Sequence, residues 1–386
     1  MVLLGTGVFS IKYQETTLYF GEGALEKARG FFTGLTRVGI VTGARSAELS
    51  GALRDVLKIL EELNISYTIF NEVTPNPFAS QAERAAERFW REGVDAIVAI
   101  GGGSVIDTAK IASVIVVSGR RVKDLVAGYR PRGSLPLLAV NLTHGTGTEV
   151  DRYAVATLDD TREKHGLSVK YPDTSVDDPR YTLTLSREQT IYTTLDAFYH
   201  AYEAATSTST NPFVETLSTA AASIIASTLP LAVKDLGNLQ LRSRLLYASM
   251  LAGISIDLAS THINHAIEHA LSGLKPELPH GAGLAMLGPR VVYYTHKARP
   301  AESASIVRHV NPYVKPIAED AERAMKAVAS FQESVGFKER LSNYGFTEQD
   351  VAKVVEYALK RLSYMTVSTP FPVAEDVVKD IFTSAL

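Results

Sequence analysis

The sequence predicts an α/β domain over residues 1–185 followed by an all-helical domain over residues 186–386. Three observations carry this expectation. Up to about residue 185, short apolar runs alternate with helical stretches, the pattern of a parallel sheet covered on both faces. Near 186 the style changes: SREQ (186–189) has capping-box spacing, with Ser186 as N-cap and Gln189 at the third helical position. Beyond it nearly every stretch reads at the helical period.

The elements follow in order. VGIVTG (38–43) reads as a strand ending in glycine, and SAELSGALRDVLKILEEL as the helix after it. YTIFNEV (67–73) is a second strand, closed by TPNP. SQAERAAERFWREG (80–93) is amphipathic, with Gly93 as its C-cap. DAIVAIGGG (95–103) is an apolar strand running into glycines, and SVIDTAKIASVIVV opens a helix directly. LPLLAVNL (135–142) is another buried strand. In the second half, NPFVETLSTAAASIIAS starts a helix with Asn211 as cap and Pro212 at the first helical position. LRSRLLYASMLAGISIDLA is a long apolar helix, and shorter helices are expected around 318–336, 348–363 and 373–385.

Composition narrows the function classes. A chain of 386 residues, 46% hydrophobic and 21% charged, is that of a folded protein with more than one core. The net charge of −3 gives no basic field for nucleic acid or an anionic membrane. No apolar run reaches the roughly 18 residues of a membrane span. The start, MVLLGTGVFSIKYQ, lacks the basic and long apolar regions of a signal peptide, so a cytoplasmic location is expected. There is no cysteine, which excludes disulfides, thiolate nucleophiles, zinc–cysteine sites and iron–sulfur clusters. Any metal must sit on histidine, carboxylate or water.

Two glycine-rich stretches lie in the first half. AIGGGSVIDTAK (99–110) sets three glycines between a buried strand and a helix, where backbone N–H groups and the helix N-terminus favour an anion. The same residues equally suit a tight strand-to-helix turn. This is not G-x-G-x-x-G, so the ordinary dinucleotide fingerprint is absent. NLTHGTGTEV (141–150) has the hydroxyls and glycines to line a ligand cleft, or to form a capped loop.

Histidine is unevenly spread. Four of the nine lie in HINHAIEHALSGLKPELPH (262–280), where an even spread would place fewer than one. His262, His265 and His269 are spaced to share a helical face, and His280 follows in a loop after Gly273. In TTLDAFYHAYEA (193–204), Asp196 and His200 are four apart on a predicted helix and share a face. One carboxylate with three imidazoles suits Fe(II) or Zn(II) with coordination left open for a substrate oxygen; spacing alone does not say which three histidines bind. HAIEH (265–269) is also a literal H-x-x-E-H, the inverted zinc-peptidase pattern. On that rival reading Glu268 is the general base and His265 and His269 are ligands.

Taken together, these motifs resemble the iron-containing (group III) alcohol dehydrogenase family. FGEGA (20–24), VTPNP (73–77), GGGSVIDTAK (101–110), THGTGTEV (143–150), VDDP (176–179), DAFYHAYEA (196–204), HAIEHALSG and PHGAGLAM are similar to family motifs in the same order, almost end to end. The resemblance implies a dehydroquinate synthase-like architecture: an N-terminal Rossmann-like domain, an all-α C-terminal domain and a site in the cleft between. It implies Asp196, His200, His265 and His280 as metal ligands, and His269 as a neighbour that contacts substrate or relays protons. It implies Gly101, Gly102, Gly103, Ser104 and Asp107 in the pyrophosphate loop, with Lys110 in the same motif. Thr143, Thr146 and Gly147 fall in the nicotinamide-side loop, and Lys164 on a nucleotide-proximal lysine. His262 has no role in it. A homodimer acting on a small alcohol or aldehyde is expected.

The chain departs from the family at several positions. Asn141 stands where proline is usual, His144 where alanine is, and Leu195 where glycine is. The gap from His269 to His280 is one residue longer than is commonest, and STPFPV (368–373) lacks an N-P-R.

The implied reaction is reversible hydride transfer between an alcohol or aldehyde and a nicotinamide. The metal, Fe(II) with Zn(II) as the alternative, acts as a Lewis acid. A zinc polyol or glycerol-phosphate dehydrogenase of the same superfamily is the nearer rival; a phosphorylated substrate would call for clustered Lys and Arg around 196–204 and 262–283, and no such cluster is there. The peptidase, and a metal-binding member without catalysis, are the others. NADP(H) is expected over NAD(H). Gly43 stands where NAD-preferring members of the family carry aspartate, so no acid repels a 2′-phosphate. Arg45 and Ser46 follow at the start of a predicted helix and offer donors to it.

Overall fold

The computed structural model describes residues 7–386. Residues 1–6, on which the expectation about a leader partly rests, lie outside the described residues. The chain forms two compact units. The first comprises residues up to Thr143, then Gly147–Leu185 and Gly237–Leu246; the second comprises His144–Thr146, Ser186–Leu236 and Tyr247–Leu386.

The first unit is built on β1 (Phe9–Tyr13), β2 (Thr16–Phe20), α1 (Ala24–Lys27), β3 (Arg37–Gly43), α2 (Ser46–Leu49), α3 (Ala52–Glu62), β4 (Ser66–Val73), α4 (Ala79–Glu92), β5 (Ala96–Gly101), α5 (Gly103–Ser118), α6 (Val122–Val126), β6 (Leu137–Asn141), β7 (Tyr153–Thr157), β8 (Lys164–Ser168) and β9 (Thr174–Asp177). Seven strands form one sheet in the order β1-β2-β9-β6-β5-β3-β4, parallel except where β1 runs antiparallel to β2. The hairpin β1–β2, the inserted β9 and the separate antiparallel pair β7–β8 are additions to the strands that apolar runs predict. All are short, and β1 and β7 carry polar or half-exposed positions that mute the apolar signal.

Both sheet faces are covered. Val38, Ile40, Val98, Ile100, Leu138 and Val140 pack with Val56, Ile59 and Leu60 of α3. Val41, Ile97, Ala99, Leu137 and Ala139 pack with Phe89 of α4 and Ala109 and Ala112 of α5. Alternation along each strand sends neighbours to opposite faces. Val56, Ile59 and Leu60 follow Ala52 at spacings of four, seven and eight, one stripe of a helix. Burial of each contributes about 1.5–3 kcal/mol.

The single helix expected after β3 is broken in two. Gly51 adopts φ +81°, which ends the first turn and restarts the chain as α3. Arg45 therefore caps, and Ser46 opens, a helix of four residues, too short for a useful dipole.

The second unit contains α7 (Arg187–Thr206), α8 (Pro212–Ala232), most of α9 (Leu239–Ala259), α10 (Ile263–Leu274), α11 (His280–Ala298), α12 (Pro300–Val307), α13 (Ala321–Ser334), α14 (Val351–Glu356) and α15 (Glu375–Ser384). The predicted starts are observed: Ser186 Oγ accepts from Gln189 N at 3.1 Å, and Gln189 Oε1 accepts from Ser186 N at 3.2 Å. Asn211 Oδ1 accepts from the N–H groups of Phe213 and Val214. Among the described residues, α8 alone is long and apolar enough by length and composition to cross a membrane. Its buried face, Val214, Ser218, Ala221, Ile225 and Leu229, recurs at helical spacing, as in a core helix packed against α7.

Two positions differ from expectation. His262 is the N-cap of α10, at φ −139° and ψ −132°, rather than a member of its helical face. His280 is the first residue of α11, set by Pro279 before it, rather than a loop residue. Periodicity places a residue on a helix face only once the helix boundary is known.

Candidate metal centre and cofactor loops

All the histidines of interest belong to the second unit. Asp196 and His200 lie on α7, His265 and His269 on α10, and His280 at the start of α11. Three imidazole Nε2 atoms face one carboxylate oxygen, Asp196 Oδ1: His200 at 3.5 Å, His280 at 3.7 Å and His265 at 3.8 Å. The His200 and His265 rings stack at 4.6 Å between centroids. Asp196 Oδ1 and His265 Nε2 are buried without a hydrogen-bond partner.

Such burial of polar atoms is costly unless something occupies the space between them. Separations of 3.5–3.8 Å are long for hydrogen bonds and suit groups converging on a common cation. The donor set, one oxygen and three nitrogens without sulfur, fits Fe(II) or Zn(II). Asp196, His265 and His280 offer ligand atoms within 4.8 Å of one another. Glu268, His269 and His280 form a second such group. The first is the better candidate, because three imidazole Nε2 atoms, that of His200 included, converge on its Asp196 Oδ1.

The opposite nitrogen of each of these three rings is anchored. His265 Nδ1 meets the Glu203 carboxylate, and His280 Nδ1 meets that of Glu268. His200 Nδ1 lies 3.3 Å from the Gly145 carbonyl, which only an N–H can satisfy. With the proton on Nδ1, Nε2 presents a lone pair, the arrangement that orients metal-ligating histidines. Glu203 and Glu268 are fully buried. Neither was assigned this work from the sequence, although Glu203 stands seven residues after Asp196 and shares its helix face.

Burial alone would raise the Asp196 carboxyl, yet His200, His280 and His265 hold it down at about 2. Burial lowers His200 to about 4. Burial opposes a charge on His265 as well, but Glu203 and Asp196 raise it to about 9. The ionised Asp196 and Glu203 carboxylates thus favour positive charge at this ring, which a bound cation would supply in place of the Nε2 proton. His269 is buried, its ring 5.6 Å from that of His280. His262 is a structural residue: its Nε2 pairs with Thr206 Oγ1 at 3.0 Å.

In the first unit, Gly102, Gly103 and Ser104 open the sixteen-residue helix α5 at the end of β5. A Cβ on Gly101 would collide with Val105, and one on Gly102 with Thr143. The loop backbone is therefore bare, with Gly102 and Ser104 partly exposed, as an anion cradle requires. Asp107 is directed elsewhere: its carboxylate accepts from Thr148 Oγ1 at 2.7 Å and from Val155 N at 2.9 Å. Lys110 is buried on Thr148, Asp151 and the Tyr153 carbonyl. Both tie α5 to β7 and the chain just before it. Lys164 Nζ donates to Asn76 Oδ1 at 2.9 Å. Thr143 N donates to Asn141 Oδ1, and Gly147 takes φ +67°. Thr146 belongs to the second unit. Gly43 ends β3, and Arg45 and Ser46 after it are exposed.

One unit thus holds a parallel sheet with a glycine-lined helix start, and the other a buried Asp–His cluster suited to a cation. Comparison with known proteins makes this specific. Residues 15–179 match the iron-containing alcohol dehydrogenase family, and residues 190–386 match the C-terminal domain of the Fe-containing alcohol dehydrogenase family. The chain belongs to the iron-containing alcohol dehydrogenase family. It is 36% identical to a long-chain primary alcohol dehydrogenase, AdhA, of Thermoanaerobacter ethanolicus, over 97% of this chain and 96% of that one. A solved alcohol dehydrogenase from an archaeal source in a Red Sea brine pool superposes with a TM-score of 0.91 at 25% identity, covering 100% of both chains. An NADH-dependent butanol dehydrogenase A from Thermotoga maritima does so at 0.89 and 25% identity, over 97% of this chain and 98% of that one. The protein is an oxidoreductase of the alcohol dehydrogenase class, and the peptidase reading of HAIEH has no place in that family.

Proposed function

We propose that the protein is a metal-dependent alcohol dehydrogenase and aldehyde reductase that moves hydride between a primary alcohol and NADP(H). Its dinucleotide site is assigned to residues 1–185 and its metal and substrate site to residues 186–386; the two family matches fall on either side of that division. The observation that carries the reading is the convergence of His200, His265 and His280 Nε2 on Asp196 Oδ1. These four residues would hold one divalent ion, Fe(II) by the family's name, with Zn(II) chemically adequate. When bound, the ion supplies Lewis acidity to a substrate oxygen and the nicotinamide supplies the hydride acceptor.

The chain's own residues do the rest. Glu203 and Glu268 keep His265 and His280 turned with Nε2 inward. His269, beside His280, holds or passes the alcohol proton. Gly102, Gly103 and Ser104 receive the cofactor phosphates on bare N–H groups. Gly43 and Arg45 support NADP(H), through an absent acid and an exposed guanidinium that is able to bind a 2′-phosphate with two nitrogens. The primary alcohol is taken from the long-chain primary alcohol dehydrogenase of Thermoanaerobacter ethanolicus, to which the chain is similar. The test is absorbance at about 340 nm with a panel of primary alcohols and both nicotinamides, on protein loaded with Fe(II) or Zn(II). Absence of turnover with every alcohol and aldehyde in either direction defeats the proposal.

A further inference from the structure

His144 is fully buried in the second unit and directly follows Thr143, where the stretch of the first unit that carries β6 ends. Its Nδ1 lies 3.2 Å from Thr193 Oγ1 and 3.1 Å from Thr194 Oγ1. Thr193 itself donates to the Gln189 carbonyl at 2.9 Å, so its hydroxyl is fixed against the backbone of α7. Both threonines stand on α7 just before the metal-facing residues. Thr193, Asp196 and His200 are spaced by three and four, and share one helix face.

The next residue touches the same helix. A Cβ on Gly145 would sit 2.9 Å from the Thr193 carbonyl oxygen and 3.0 Å from Thr193 Cβ, so only glycine lets the chain lie this close. In that position its carbonyl oxygen meets His200 Nδ1 at 3.3 Å. His265 and His280 take their orientation from carboxylates on helices. His200 takes its from a peptide carbonyl on a three-residue excursion, whose place depends on what ties that excursion down.

We propose that His144 is a positioning residue for the metal site: hydrogen-bonded to Thr193 and Thr194, it holds Gly145 where its carbonyl receives the His200 Nδ1 proton and turns Nε2 toward Asp196. This rests on the reading of His200 as a ligand. The imidazole acts as a tether, with no part in proton transfer. Loss of the tether should loosen one ligand of four while leaving the helical core intact.

The experiment uses Co(II) on the full-length protein, following its visible absorption and its release to a chelator. His144→Ala should speed release ~10–100-fold, the usual effect of removing support behind a ligand, and should change the Co(II) absorption band. Asparagine carries its amide atoms on Cγ, as histidine carries Nδ1, so His144→Asn should restore most of the hydrogen bonding and slow release again. If His144→Ala does not fold, Thr193→Val combined with Thr194→Val removes the same contacts from the helix side and should give the same spectral change. Release rate and spectrum equal to wild type in a folded His144→Ala or double-valine protein overturn the proposal. A wild type that binds no Co(II), or a His200→Ala protein that binds it normally, overturns instead the ligand reading beneath it.

Discussion

Glu203 orients His265 and also caps the helix that carries it. One carboxylate oxygen meets His265 Nδ1, and the other accepts the backbone N–H groups of His262 at 3.0 Å and Asn264 at 2.9 Å. The charge of Glu203 is held well below the usual carboxylate range, against the cost of burial, by His262 and His265. Glu203→Gln keeps the size and one acceptor oxygen but removes the charge and half of the acceptors. The expected result is metal affinity lower by ~10–100-fold, read by equilibrium competition with a chelator. Unchanged affinity would show that the carboxylate serves only the helix start.

The two roles assigned to histidine separate in a pair of variants. His200→Ala should lose metal and turnover together, with far-UV circular dichroism unchanged. His269→Ala should keep stoichiometric metal by elemental analysis while turnover falls ~10²–10⁴-fold, the range of general acid–base groups. Loss of metal from His269→Ala would move the ion toward the second group, Glu268, His269 and His280.

The cofactor preference rests on one position. At Gly43 a new Cβ would find Val73 O at 3.4 Å and Ser46 Oγ at 3.6 Å, ordinary contacts, so Gly43→Asp is tolerated sterically. Wild type should favour NADP(H), and the aspartate should lower the NADP-to-NAD ratio of kcat/KM by ~10–100-fold, since charge-assisted contacts contribute ~1.5–3 kcal/mol each. Steady-state kinetics with both cofactors decides. Equal or better efficiency with NAD(H) in the wild type refutes the preference, and an unmoved ratio in the variant refutes the position.

A pH dependence of stability follows from Glu149 and Asp177, both fully buried in the first unit. Burial raises Asp177 to about 7 although Asn141 Nδ2 donates to it at 3.0 Å. Burial, and then the charge of Asp177, raises Glu149 as well. Between the ordinary carboxylate range and about 7, the folded chain therefore holds a proton that the unfolded chain has released. Stability falls as pH rises through that window, by up to about 1.4 kcal/mol per pH unit for each such group. Asp177→Asn removes one of them and keeps the contact with Asn141. Its stability relative to wild type, from urea midpoints, should rise as pH goes from 5 to 7. A constant difference across that range would refute the assignment.

The strands and helices that carry the chemistry were legible because their signals are local. β3, β5 and β6 are apolar runs, the Ser186 cap is a four-residue pattern, and Asp196 with His200 is one turn of one helix. Local spacing also marked out the histidines and Asp196 as candidates, but left open which three histidines bind; the set of four came from the family resemblance. The weak strands were not legible, nor was the placing of β9 between β2 and β6, since its partners lie far away in sequence.

What the sequence by itself determined is therefore which residue types stand at which helical and strand positions, and through them the family. What only the tertiary structure decided is which nitrogen of each ring faces Asp196, and that Glu203, Glu268 and the Gly145 carbonyl make that choice. It also decided that Asp107 and Lys110 tie α5 to its neighbours, and that His262 caps a helix. The physical reason is that a ring's orientation and tautomer are set by the partner of its far nitrogen. For His200 and His265 that partner lies 55 and 62 residues away, beyond the reach of any periodic pattern, and only packing brings it within hydrogen-bonding distance.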